Sequence, residues 1–177
     1  MTTLITDPPR PLRKQAADSA RVEPAFRSLI RTLGLVRRAM EPYFAQHGIS
    51  ASQWAVLRAL HRAHEESAEM SGMRLRDLSD SLLVRPPSVT GAIDRLQRMG
   101  LVARRVSNKD QRAKLVSLTA AGRKLVDRVR QGHAQQVQRV LNVLNVHEQQ
   151  ELRRLLDRLG DHLEEMNGGV EDDKVTR

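Results

Sequence analysis

The sequence predicts a mainly α fold with a small β-hairpin, and three observations carry the prediction. Apolar residues recur at steps of three and four through most of the chain, the period of helices with one buried face. Strand-like composition is confined to two neighbouring stretches, Leu101–Val106 and Leu115–Leu118, joined by the polar, turn-prone run Ser107–Arg112. The segment just before them reads as a helix, Pro86 to Met99, with Val89, Ile93 and Leu96 on one stripe. Pro86 and Pro87 fit its first turn, where no backbone N–H is needed, and Gly100 stops it. A helix followed by a hairpin with a charged tip is the layout of a winged helix-turn-helix lobe.

Charge singles out the same stretch. Residues 85–114 hold eight basic and two acidic side chains, a net +6 of the chain's formal +9. Lysine and arginine gathered on so small an element are the footprint of a polyanion partner. Aromatic residues make up only 2% of the 177, too few for stacking on single-stranded bases, so double-stranded DNA is the expected partner. There is no cysteine, which excludes disulfides, thiolate metal sites and thiol redox sensing. No apolar run approaches the roughly 20 residues that span a bilayer, and the N-terminus lacks a signal-peptide core. A cytoplasmic protein without membrane contact is expected.

In chain order, residues 1–22 contain Pro8, Pro9 and Pro11 and no lasting periodicity, and read as a flexible arm. From about Glu23 to Gln46, Phe26, Leu29, Ile30, Leu33, Val36, Met40, Tyr43 and Phe44 mark a long amphipathic helix. Pro42 predicts a kink or break inside it. Ser50 and Gln53 form a helix-start box for a second helix carrying Trp54, Val56, Leu57 and Leu60, which ends in an acidic loop from His64 to Gly72. A short helix, Leu75 to Leu82, precedes the turn at Leu83–Val84. Thr119 caps a helix running to about Val143, and Asn145 to Glu148 offers a cap for a last one, to about Met166, striped by Leu152, Leu155, Leu156, Leu159 and Leu163. These helices leave more apolar surface than one winged lobe can cover. A two-fold dimer is the economical solution. The expected division is a DNA-binding lobe at about 50–119 and dimerisation helices at about 23–46 and 120–166, together one domain over 23–166. Residues 167–177 follow as a disordered acidic tail.

The order Gly-Ile-Ser-Ala-Ser-Gln-Trp-Ala-Val-Leu, Leu-Arg-Asp-Leu-Ser, Pro-Pro-Ser-Val-Thr, Asp-Arg-Leu, Gly-Leu-Val, Asp-x-Arg, Val-Ser-Leu-Thr-x-x-Gly resembles the MarR family of bacterial regulators over about residues 23–166. The most specific part is Asp110-Gln111-Arg112 followed by Val116 to Thr119 and Gly122. The resemblance implies an obligate homodimer on a pseudo-palindromic operator, usually a repressor, released by small phenolic or other aromatic effectors. It assigns Pro87, Ser88, Thr90, Gly91 and Arg95 to the major groove, where hydroxyls and a guanidinium can read base edges. Arg112 resembles the wing arginine of the minor groove, and Asp110 the carboxylate that orients it. Lys109, Arg104, Arg105 and Lys114 look like phosphate contacts, with Ser50, Ser52 and Gln53 adding backbone contacts. Arg85 stands where a Ser or Thr cap is common, so a capping bond gives way to a cation suited to phosphate. Gly91 stands where many relatives carry a larger polar residue.

Tyr43, His47, Trp54, Arg58 and His61 are the candidates for an effector pocket between the dimer helices and the lobe, because aromatic surface plus a cation suits an aromatic carboxylate. Core packing explains Tyr43 and Trp54 equally well. His61 and His64 are read as surface histidines, and no metal or cofactor is expected. A glycine-rich phosphate loop, a nucleophile elbow and a metal-ligand cluster are all missing from the sequence, so no catalytic residues are assigned and no enzyme is expected. The rival reading is a winged-helix protein-interaction module without DNA binding.

Overall fold

The structure, a computed structural model, describes residues 10–66, 72–106 and 114–168, with side chains from residue 22 onward. The element order is α1 (Arg10–Gln46), α2 (Ala51–Glu66), β1 (Met73–Arg74), α3 (Leu75–Ser81), α4 (Pro86–Arg98), β2 (Val102–Val106), β3 (Lys114–Leu118), α5 (Ala120–Leu141) and α6 (Val146–Gly168). The expected class holds: helices dominate and the strands are few and short. The wing tip, residues 107–113 with Lys109, Asp110 and Arg112, lies outside the described residues. So do residues 1–9, 67–71 and 169–177, which include all but the first two residues of the expected tail and most of the expected acidic loop.

Two expectations for α1 are corrected. The helix begins at Arg10 rather than near Glu23, so residues 10–22 are not a flexible arm. Leu, Arg, Lys, Gln and Ala dominate that stretch and are strong helix formers, and Pro11 sits in the first turn, where its missing N–H costs nothing. Nor does Pro42 break the helix, which runs on to Gln46. One backbone bond is forfeited there. Burial of Met40, Tyr43 and Phe44 around it offsets the loss. Helix α2 likewise runs three residues into the expected loop, to Glu66.

The expected hairpin is present as β2 and β3, antiparallel from Val102 opposite Leu118 to Val106 opposite Lys114. A third strand was not foreseen. β1 pairs with β3 through Met73–Val116 and Arg74–Leu115, giving the order β1-β3-β2. Two residues are too short to show an alternation in sequence.

Local chemistry sets the helix ends. The Ser50 N–H donates to Gln53 Oε1 at 2.8 Å, and the Gln53 N–H donates back to Ser50 Oγ at 3.3 Å. Asn145 and Glu148 form the same reciprocal box at 2.8 and 3.0 Å. Thr119 Oγ1 accepts the Gly122 N–H at 3.0 Å and starts α5. Gly100 ends α4 in the left-handed region, φ 71°, while the Leu101 N–H returns to the Leu96 carbonyl at 2.9 Å.

The chain divides into two units, residues 1–132 and 133–177, with the boundary inside α5. The core of the first gathers Leu57 of α2, Leu78 of α3, Ile93 and Leu96 of α4, and Val126 and Val129 of α5, all fully buried. Within this unit Phe26, Ile30 and Leu33 of α1 stay more than half exposed. In the second, α6 exposes Leu152, Leu155, Leu156, Leu159 and Leu163 along one stripe. Among the described residues no helix is long and apolar enough to cross a membrane.

Candidate nucleic-acid interface

Helix α4 divides its residues by period. Val89, Ala92, Ile93 and Leu96 are buried, while Pro86, Pro87, Ser88, Asp94, Arg95 and Arg98 are exposed and Thr90 and Gly91 half-buried. Of the residues assigned to the major groove, Pro87, Ser88 and Arg95 therefore stand free of the core on one short helix. Thr90 Oγ1 donates to the Pro86 carbonyl at 2.9 Å, which ties its hydroxyl to the helix's own first turn. Gly91 has open space where a Cβ would point, so packing does not demand glycine there. Arg85 occupies the N-cap with no side-chain capping bond, leaving its exposed guanidinium at the positive end of the helix.

The turn leading into α4 falls at Leu83, as the sequence predicts. Leu83 has φ 52°, a left-handed conformation that costs a branched residue about 1 kcal/mol, and it is 87% exposed. An apolar side chain held out at the start of α4 has no core role.

The two adjacent wing arginines serve different faces of the sheet, because alternate residues of a strand point opposite ways. Arg104 turns to α4: Nη2 donates to Asp94 Oδ1 at 2.6 Å and Nη1 to Gln97 Oε1 at 2.9 Å. It thus ties β2 to α4. Arg105 and Lys114 are exposed. The Arg104–Asp94 pair covers the one acidic side chain of α4 with a cation.

Around the start of α2, Ser50 Oγ lies 3.0 Å from Ser52 Oγ. Gln53 is only 7% exposed, and its Nε2 donates to the Met99 sulfur at 3.5 Å while Oε1 serves the cap. It therefore joins the start of α2 to the end of α4. Ser52 is the exposed polar side chain of that trio.

Of the residues expected to line an effector pocket, Tyr43 and His47 meet directly and Trp54 joins them through Phe44. Tyr43 packs edge-on to Phe44 and His47, with ring centroids 5.6 and 5.1 Å apart, and Phe44 stacks on Trp54 at 6.0 Å. The Tyr43 hydroxyl donates to the Val129 carbonyl, and burial pushes the phenol above its ordinary 10.0. Tyr43 and Trp54 are core. Arg58 is exposed. His61 Nδ1 lies 3.2 Å from Glu65 and Nε2 3.8 Å from Asp127 of α5. Glu65 also meets Arg130 at 3.1 Å, and that bond holds its carboxyl below the usual range. A cavity of about 450 Å³ opens elsewhere, between the end of α2, the base of the wing and the start of α5, and none of the five lines it. No group of three or more His, Asp or Glu side chains able to hold a metal ion occurs among the described residues.

The MarR family model matches residues 47–113, the stretch from the start of α2 through the wing tip. The chain is 30% identical over 134 residues to the homoprotocatechuate degradative operon repressor of Escherichia coli, covering 73% of this chain and 86% of that protein. The structure of Bordetella bronchiseptica BpsR, described with regulation of its DNA binding by 6-hydroxynicotinic acid, superposes with a TM-score of 0.67 at 25% identity, over 77% of this chain and 98% of that one. A mutant MarR from E. coli complexed with operator DNA shares the fold, with a TM-score of 0.70 at 24% identity over 78% of this chain and 95% of that one. With the winged lobe, the exposed face of α4 and these likenesses together, the chain belongs to the MarR family and is a DNA-binding transcriptional regulator.

Proposed function

We propose that this regulator acts as a ligand-responsive repressor, a homodimer that places two copies of α4 in successive major grooves of a pseudo-palindromic operator. The observation that carries the reading is the division of α4. Its apolar stripe locks into the lobe core while Pro87, Ser88, Thr90, Gly91 and Arg95 form a small, polar, cationic surface beside a basic wing. Arg95 suits guanine, and Ser88 suits a base edge or a phosphate. Arg85, Arg105, Lys109 and Lys114 supply phosphate contacts, and Arg112, oriented by Asp110, reaches the minor groove. The exposed stripes of α1 and α6 support dimerisation through residues 23–46 and 120–166. Half-sites roughly 34 Å apart follow from one turn of B-DNA.

The repressor sense rests on the E. coli relative's name, and ligand response on the BpsR likeness. A small aromatic or phenolic effector is the proposed signal. The protein performs no catalysis in this role and works in the cytoplasm, where the operator is.

Selection of genomic fragments by the purified protein supplies the operator and its half-site spacing. On that operator, Arg112→Ala is expected to weaken binding about tenfold or more in gel-shift titration while light scattering still gives twice the 20.0 kDa chain mass. Unchanged affinity defeats the wing assignment, and a monomer mass defeats the architecture.

A further inference from the structure

We infer, given the proposed placement of α4 in the major groove, that Leu83 is a specificity-determining residue whose side chain packs on the C5-methyl group of a thymine. Leu83 is the most exposed large apolar side chain among the described residues, at 87%. Exposure to water disfavours such a group. The exposed apolar residues of α1 and α6 form stripes along helices, whereas Leu83 stands alone on a tight turn.

The backbone makes the leucine more telling. The Leu83 N–H donates to the Asp80 carbonyl and the Val84 N–H to the Ser79 carbonyl, both at 3.1 Å. That pair of bonds ends α3 in a Schellman turn, whose left-handed residue is usually glycine because a Cβ crowds the backbone there. Here that residue is Leu83, with φ 52°. Glycine would relieve the strain and remove an exposed apolar group at once. Neither the turn nor the core accounts for the leucine. A contact with a partner does.

Neighbouring residues identify the partner. Arg85, two residues on, carries an exposed guanidinium at the positive end of α4, and Pro86, Pro87 and Ser88 are exposed beyond it. Leu83 is therefore continuous along the chain with the surface that α4 offers to DNA. A phosphate takes the cation. Of the base edges in the major groove, only thymine offers an apolar group, its C5-methyl. Packing that methyl on a leucine removes apolar surface from water on both partners. Residues 81–93 include no carboxylate to repel the flanking phosphates, and the nearest before them, Asp80, meets Arg76 at 3.8 Å.

Fluorescence anisotropy of the full chain on its selected operator, with each thymine replaced in turn by deoxyuridine, tests the contact, because that change removes only the methyl. At one thymine in each half-site the replacement is expected to weaken wild-type binding about fourfold. Leu83→Gly is expected to bind the unmodified operator about fourfold weaker, to melt no lower than the wild type, and to be indifferent to that replacement. Leu83→Asn, also suited to a left-handed turn, is expected to behave alike, and Leu83→Met to keep the thymine preference. Unchanged operator affinity in Leu83→Gly overturns the inference. So do equal losses for wild type and Leu83→Gly at every thymine. A lower mass for Leu83→Gly in light scattering assigns the residue to contacts between copies and overturns it too. Arg95→Ala on the same duplex tests the placement of α4 separately. Its loss of affinity beside an unaffected Leu83→Gly leaves α4 in the groove and removes only Leu83, whereas a wild type that selects no operator removes both.

Discussion

A single missing methyl group decides how the wing joins α5. A Cβ on Gly122 would lie 2.1 Å from the Leu101 carbonyl oxygen, which is backbone and cannot swing away. Gly122→Ala is therefore expected to cost at least about 2 kcal/mol in urea unfolding. The sequence marks this glycine only through the family pattern, and the reason for it is a contact between distant parts of the chain. Tyr43 is the second case. Tyr43→Phe removes its bond to the Val129 carbonyl and is expected to cost about 1 kcal/mol near neutral pH. Because burial raises the phenol's pKa, folding favours the protonated form. That contribution is complete below 10.0 and is lost as pH climbs through the raised value, so the wild type loses stability above pH 10 more steeply than the variant. Unfolding curves at a series of alkaline pH values read the difference.

At the scale of elements, the helix starts marked by capping boxes were legible and the sheet was only partly so. Ser50–Gln53 and Asn145–Glu148 cap as expected because both partners of each bond lie within one turn. β1 escaped notice because its existence depends on the edge that β3 offers, not on its own two residues. The Arg104–Asp94 link likewise escaped, for Arg104 read as a phosphate contact and Asp94 carried no assigned role. A double-mutant cycle with Arg104→Ala and Asp94→Ala is expected to show a coupling of about 0.2–1 kcal/mol, the range for half-exposed pairs. Faster amide exchange in β2 of either variant is expected too, and additive behaviour with unchanged exchange would remove the link's role in positioning the wing.

At the scale of the molecule, the charge pattern and the exposed stripes act together. The net +6 of residues 85–114 implies contacts with many phosphates. If six or more are engaged by the dimer, operator affinity is expected to fall by roughly a thousandfold between 50 and 200 mM salt. Fluorescence anisotropy across that range measures the slope. A flat response identifies a winged-helix interaction module held by apolar surface instead. The stripes on α1 and α6 were legible because three-and-four spacing is intrinsic to each helix, whether or not a partner covers it.

What the sequence by itself determined is what depends on neighbours along the chain: helix periods, capping boxes, the two strands of the wing, and the charge that marks a polyanion partner. Conflicting local signals misled it at residues 10–22, where helix formers outweighed the prolines, and of the kink or break expected at Pro42 the break does not occur. Only the tertiary structure decided which polar groups are engaged. It turned Arg104 toward α4, buried Gln53 in a cap, packed Tyr43 and Trp54 as core, and opened a cavity where no motif pointed. The physical reason is that these contacts join residues far apart in the chain. Their meeting depends on how helices and strands pack, which no window of sequence contains.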